Sequence, residues 1–375
     1  MSVPVPVTGS WVAAESIPVV PRDVYEQLPA AYAFVPPESR GAIASHRPRV
    51  VFIEVTNHCN LLCETCPRTF VTYETPQTLS WENFLRIIEQ FPEMQRAVLH
   101  GIGEPLMNKD LPRMIETLKA RGVTVLFNSN AVLLNETWGR ALIASGLDEL
   151  RCSVDGADPR TYARVRGAPV FHKVVQNLKR FRELQRELGV STPRVSLWMT
   201  GMRENIGELP DLVRLAAYMG VPEVYVQRMV YYLDHTSPPG LMDSGHALFD
   251  EYDAWVDRIL AESETLAQAL GVTLRASGAT DPRHSLAISQ QDSPRPWAPC
   301  MRPWTTAYVT ANGNCLPCCV SPFATRNYDS LKMGNLFDQP FEEIWNDEQY
   351  QSWRTALLSD QPPTACSGCG VHWSL

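Results

Sequence analysis

Apolar positions along the chain follow two alternating rhythms. Arg49-Val-Val-Phe-Ile-Glu-Val55 is a short, almost unbroken apolar run, the pattern of a strand buried on both faces, and Leu79 to Phe91 then spaces its apolar residues at helical intervals, with Ser80 placed to cap the first turn. The alternation repeats, predicting strands near 96–100, 123–128, 149–154, 194–200 and 223–229 and helices near 110–121, 135–145, 172–188 and 207–219. Six strand–helix units predict an α/β protein with a parallel sheet, open or curled into a barrel, and in either form chemistry collects at the carboxyl ends of the strands. A striped helix from about 244 to 270 closes the series.

The pattern breaks at both ends. Residues 1–48 are rich in proline and read as a lead-in segment, 49–280 carry the strand–helix series, and 281–375 open on a Pro, Ser, Gln and Arg-rich connection to Pro299 and continue into a cysteine-rich region. With 375 residues, 45% hydrophobic and 20% charged, the composition is that of a globular protein with ample core. A formal charge of -8 argues against a nucleic-acid partner, which calls for an excess of Lys and Arg. No apolar run reaches the roughly 20 residues of a membrane span, and no basic-then-apolar export signal opens the chain, so a cytoplasmic location is expected. There the ten cysteines are expected to be thiolate ligands rather than disulfides. Three lie together after the first strand, six follow residue 299, and Cys152 stands alone in a strand where alternation makes it a buried apolar residue.

The first group reads Thr56-Asn-His58-Cys59-Asn-Leu-Leu-Cys63-Glu-Thr-Cys66-Pro. Three thiolates on one loop can hold three corners of a cubane and leave the fourth iron open to a ligand. The alternative, structural zinc, needs a fourth donor, and His58 abuts Cys59 too closely to serve easily. This Cys-x3-Cys-x2-Cys spacing at the end of a first strand resembles the radical S-adenosylmethionine superfamily. The resemblance implies a partial (β/α)6 TIM-like barrel, a 4Fe-4S cluster on Cys59, Cys63 and Cys66, and S-adenosylmethionine cleaved to a 5'-deoxyadenosyl radical that abstracts hydrogen from an unactivated carbon. It also implies an electron donor such as flavodoxin or ferredoxin. Gly101-Ile-Gly103-Glu104-Pro105 is similar to the family's Gly-Gly-Glu element with Ile102 at one glycine, and implies that Gly103 and Glu104 receive the methionyl ammonium. Asn128 and Asn130 share a strand face, as do Ser153 and Asp155. These polar pairs at strand ends suit a bound ribose or substrate; Ser153-Val-Asp-Gly resembles the family's fourth-strand element, which implies Ser153 at the cofactor, and Asp155 either joins it or caps the helix begun at Asp158-Pro159. By position in the family pattern, Arg166 is expected at the cofactor carboxylate and Asn205 beside the cofactor.

The second group, Cys300, Gly313, Cys318, Cys366 and Cys369, resembles the single-cluster twitch form of the SPASM domain and implies a second 4Fe-4S cluster on those four thiolates, with Cys315 or Cys319 as substitutes for Cys318 and four-thiolate zinc as the alternative. A closed second cluster accepts an electron or pins the domain. The first use implies oxidation, and the resemblance to single-twitch-cluster enzymes implies two-electron oxidation of an alcohol to a ketone on a small polyhydroxylated substrate, an aminocyclitol, sugar or nucleoside of natural-product biosynthesis. Three other readings stay open: a redox-neutral epimerase, decarboxylase or dehydratase with Cys319 as hydrogen donor; a ribosomal-peptide maturase, against which the short lead-in weighs; and a non-enzymatic iron-sulfur or zinc protein. Gln227, Tyr231, Tyr232 and His235 are the candidate substrate contacts, and Arg228 and His100 the candidate base or charge clamp.

Overall fold

In a computed structural model of the chain, the described residues are 39–230, 240–241, 244–248, 253–276, 295, 297–298, 300–324 and 327–367. The expected alternation is present as β1 (Val50–Ile53), α1 (Trp81–Glu89), β2 (Arg96–Val98), α2 (Leu111–Ala120), β3 (Thr124–Ser129), α3 (Glu136–Ala144), β4 (Glu149–Ser153), α4 (Pro159–Arg166), α5 (Phe171–Glu187), β5 (Arg194–Gly201), α6 (Leu209–Met219) and β6 (Glu223–Arg228). Ser80 caps α1 as its position demands, accepting from Asn83 N at 3.2 Å. The striped helix, α7, begins only at Ala254 and runs to Leu270, with Asp253 as its cap.

The parallel sheet extends beyond the six expected strands at both edges. β7 (Thr273–Ala276) pairs with β6, and β8 (Thr306–Val309), from the cysteine-rich region, pairs in parallel with β1, with Val50 opposite Thr306. The antiparallel β9 (Asn314–Leu316) and β10 (Gly334–Asn335) complete one sheet in the order β10-β9-β8-β1-β2-β3-β4-β5-β6-β7. Behind them α8 (Phe341–Trp345) and α9 (Glu348–Leu358) cover the C-terminal region.

The two faces of the sheet differ in kind. Val51, Ile53, Ala97, Val125, Phe127, Leu150, Cys152, Val195, Leu197 and Val224 join the helices in one fully buried core. On the opposite face the lower layer is closed by charge: Arg194 bonds Glu149 at 2.7 Å, Arg151 bonds it at 2.9 Å, and Arg194 also approaches Glu223 at 3.6 Å. Such buried pairs contribute little net stability but are costly to break singly, so they fix strand register. Above this floor, Asn128, Arg151, Ser153, Trp198, Thr200 and Gln227 on the same face remain half-exposed, so the barrel is open at its carboxyl end.

Candidate active site

Cys59, Cys63 and Cys66 lie on the loop between β1 and α1, which is held by contacts from outside rather than by regular structure. Arg68 Nη2 donates to Leu61 O at 2.6 Å, Thr69 Oγ1 donates to Cys63 O at 2.8 Å, and Glu64 N donates to Val165 O at 2.9 Å in the last turn of α4. Gly167 caps α4 with φ +71°, and a Cβ there would lie 2.0 Å from Leu62 O. Gly167→Ala therefore combines a disfavoured backbone with a collision against backbone that cannot yield. A loss of about 1–3 kcal/mol in a urea melt and a lower yield of cluster at the N-terminal site are expected; wild-type values for both would show that α4 does not clamp this loop.

Burial governs the thiols. It raises Cys59 and Cys63 above the ordinary range and pushes Cys66 up to about 12, and each of the later two feels its fellow thiols. Arg166 is the largest opposing influence on Cys63. Iron binding to this loop must therefore displace protons. Among the described residues no three His, Cys, Asp or Glu side chains close on a single ion, whereas three mutually sensed thiols suit the wider span of a multi-iron cluster.

Beside the thiols is a set of polar groups. Gly103 rests against the cysteine loop: its Cβ would be 2.1 Å from Thr56 O, and Glu104 N donates to His58 O at 2.8 Å. The Glu104 carboxylate is buried and accepts from Ser129 Oγ (2.7 Å) and Leu106 N (3.1 Å) on Oε1 and from Asn130 N (2.7 Å) on Oε2. Burial still raises its pKa, so a cation placed at Oε2 would be welcome. Asn128 Oδ1 is buried without a partner, and the Ser153 hydroxyl has none among the described residues. An orphaned acceptor and a free hydroxyl on one polar face fit a hydroxyl-bearing ligand.

Other expectations meet a different arrangement. Asp155 is no cap; Asp158 caps α4, accepting from Arg160 N and Thr161 N, while Asp155 bonds Arg166 Nη1 at 2.9 Å and Thr200 N at 2.7 Å. Asn130 does not share the situation of Asn128, for its amide reaches Asn60 Oδ1 at 2.8 Å and Cys59 Sγ at 3.8 Å. Asn205 spends its side chain on Met202 N, Asp155 O and Thr200 O, so it shapes the backbone of the β5 end. His100 Nδ1 accepts from Asn128 N at 3.1 Å and burial takes its pKa down to about 3, which leaves Nε2 protonated and removes the expected proton acceptor. Gln227 faces the open chamber and donates to Thr200 Oγ1 at 3.1 Å, while alternation sets Arg228 on the other side of β6, in register with Gly201. Tyr231, Tyr232, His235 and Cys369 lie outside the described residues.

The second cysteine group is clearer. Cys300, Cys318 and Cys366 line one pocket with Trp297, Trp353 and Leu357. Burial pushes the Cys300 thiol up to about 11, and it feels both Cys318 and Cys319. Cys315 is apart, fully buried in β9 and raised by burial alone. Glu54 and the stacked pair Trp198–Tyr225 (4.0 Å) are residues the sequence did not single out; for Glu54 the signal was a lone carboxylate inside an apolar run.

Residues 53–216 match the sequence profile of the Radical SAM superfamily, and 300–370 match that of an iron-sulfur cluster-binding domain of the SPASM type. The chain belongs to the radical S-adenosylmethionine superfamily. Its cofactors are accordingly two 4Fe-4S clusters and S-adenosylmethionine, and it is an enzyme. This radical SAM protein is 26% identical to a PqqA peptide cyclase of Xanthomonas campestris over 327 residues, 86% of its own length and 79% of the relative's. It is 25% identical to a tungsten-containing aldehyde ferredoxin oxidoreductase cofactor-modifying protein of Pyrococcus furiosus, over 48% of its own length and 52% of the relative's. In fold it is similar to Streptococcus suis SuiB bound to S-adenosylmethionine, with TM-score 0.64 and 16% identity over 95% of this chain and 80% of that one. The same SuiB bound to the precursor peptide SuiA gives 0.61 and 15%, over 98% and 81%.

These likenesses correct the expected chemistry. Oxidation of a small polyhydroxylated substrate gives way, because the relative aligned along most of the chain is named for cyclising a peptide. The small-molecule partner falls with it, and so does the weight placed on the short lead-in, most of which, 1–38, lies outside the described residues. Among the described residues no helix is long and apolar enough to cross a membrane.

Proposed function

We propose that this radical SAM enzyme modifies a peptide, joining two positions of a ribosomally made precursor by radical cyclisation in the cytoplasm, with flavodoxin or ferredoxin as electron donor. The reading is carried by the likeness to a peptide cyclase over 86% of the chain. When bound, the N-terminal cluster and S-adenosylmethionine supply one-electron cleavage of the sulfonium and a hydrogen-abstracting deoxyadenosyl radical. Cys59, Cys63 and Cys66 would hold that cluster. Gly103 lets its loop lie against the cysteine loop, and Glu104 would take the methionyl ammonium. Asn128 and Ser153 take ribose hydroxyls, and Arg166, fixed by Asp155, offers its guanidinium toward the cofactor carboxylate. The half-exposed face from Asn128 to Gln227 orients the peptide and keeps water from the radical carbon. Cys300, Cys318, Cys366 and Cys369 hold the second cluster.

Forming one bond between two C–H or heteroatom–H positions removes two hydrogens. One leaves within deoxyadenosine; the other leaves as a proton, and its electron needs an acceptor, a role the second cluster would supply. Co-expression with a candidate ribosomally made precursor peptide is expected to yield a peptide lighter by two hydrogens and cross-linked in tandem mass spectra. A peptide of unchanged mass, while a hydroxylated small molecule is consumed, would refute this reading.

A further inference from the structure

Glu54 has no part in the chemistry assigned so far, yet it lies where three pieces of the molecule meet. It follows the last residue of β1 and is 2% exposed. Its Oε2 accepts from Ile102 N at 2.8 Å, inside the loop that carries Gly103 and Glu104, and from Tyr308 Oη at 3.2 Å on β8; its Oε1 accepts from Ala311 N at 3.3 Å in the turn leading to Cys315 and Cys318. The packing leaves no slack, since a Cβ on Gly101 would stand 2.0 Å from Glu54 Oε2 and 2.4 Å from Tyr308 Oη. A second carboxylate, Glu74, grips the same turn through Asn312 (2.9 Å) and Asn314 (2.8 Å), and also accepts from Tyr328 at 2.7 Å.

We propose that Glu54 is a positioning residue for S-adenosylmethionine: it anchors the cofactor loop to the docked C-terminal domain, so that the loop keeps its binding geometry only while that domain is seated. Three donors converge on one carboxylate, and two of them are backbone amides with no freedom to turn away. Glutamine cannot replace it, because its amide nitrogen would face an N–H. Burial raises the Glu54 carboxyl to about 7 against these donors, with Glu74 adding to the rise. The titratable groups facing it are Tyr308, whose own proton is held far above the ordinary range, and Glu74. Below about pH 7 one oxygen gains a proton and the set of acceptors is incomplete.

The test uses the full chain, first free of cofactors and then with both clusters loaded. In the cofactor-free protein, amide exchange over 101–104 is expected to quicken in Glu54→Gln and, more weakly, in Tyr308→Phe, with the rest of the barrel unchanged. In the loaded enzyme, KM for S-adenosylmethionine should rise about tenfold in Glu54→Gln and about threefold in Tyr308→Phe, with kcat for deoxyadenosine formation nearly held. Wild-type KM should climb as pH falls through 7, and the Glu54→Gln profile should be flat there. Unchanged exchange at 101–104, or faster exchange spread evenly through the barrel, would overturn the proposal. If Glu54→Gln does not fold, Tyr308→Phe decides alone. None of these readouts involves a peptide, so they stand or fall apart from the cyclase reading.

Discussion

Cys63→Ala is expected to end deoxyadenosine formation altogether, a loss well beyond the roughly 10–100-fold that contacts outside the ligand shell are worth. In the proposed site three thiols of one loop hold the cluster, and among the described residues the remaining cysteines are placed elsewhere: Cys152 lies in the helix-facing core of β4, and the others follow residue 299. The fold should survive, because a small buried thiol is exchanged for a methyl in a loop already tied by Arg68, Thr69 and Val165. Iron and sulfide analysis should then find only the C-terminal cluster, with far-ultraviolet dichroism unchanged. The same result is expected for Cys59→Ala and Cys66→Ala. Persistence of deoxyadenosine in any of the three, or zinc in anaerobically prepared wild-type protein, would remove the basis of the catalytic assignment.

What could be read from the sequence was local. The cysteine spacing lies within one loop, the strand–helix rhythm lies within windows of a few residues, and Ser80 announces its helix three residues before Asn83, whose N–H donates to the cap. Pairing between distant segments has no such signal: Thr306-Ala-Tyr-Val309 is too short to declare itself a strand of this sheet, and its partner Val50 lies more than two hundred residues earlier. For the same reason Glu54 looked like an oddity in an apolar run, since two of its three donors come from the far end of the chain. Side-chain roles misread by alternation follow a related logic. Asn128 and Asn130 are two apart, but β3 ends at Ser129, and beyond a strand's end period two no longer says where a side chain points. His100 carried a plausible base in its imidazole, and only the Asn128 amide on Nδ1 shows that the acceptor is taken. Substrate class was the least legible, because Gln227 and its neighbours offer the same donors to a sugar as to a peptide amide.

Cys318→Ala should strip the C-terminal site of iron, halving the total, while Cys315→Ala should not. Cys318 lines the cavity with Cys300 and Cys366; Cys315 is packed in β9 between Val309 and Gly334, away from that cavity. Losing the Cys315 sulfur leaves a small core void, so about 1 kcal/mol of stability should go with no change in iron. Cys319→Ala is the sharper control, because Cys319 lies close enough to raise the Cys300 thiol yet does not line the cavity. If Cys319→Ala loses the iron and Cys318→Ala keeps it, the ligand set proposed here is wrong. The functional consequence separates the two uses of a closed cluster. An electron acceptor predicts that Cys318→Ala still makes deoxyadenosine but forms the cross-linked peptide at least about a hundredfold more slowly. A pin for the domain predicts instead a lower melting temperature and, through Tyr308 and Ala311, a loosened cofactor loop. Measuring product ratio and melting temperature on one preparation distinguishes them, since loss of an acceptor leaves the fold intact and loss of a pin does not.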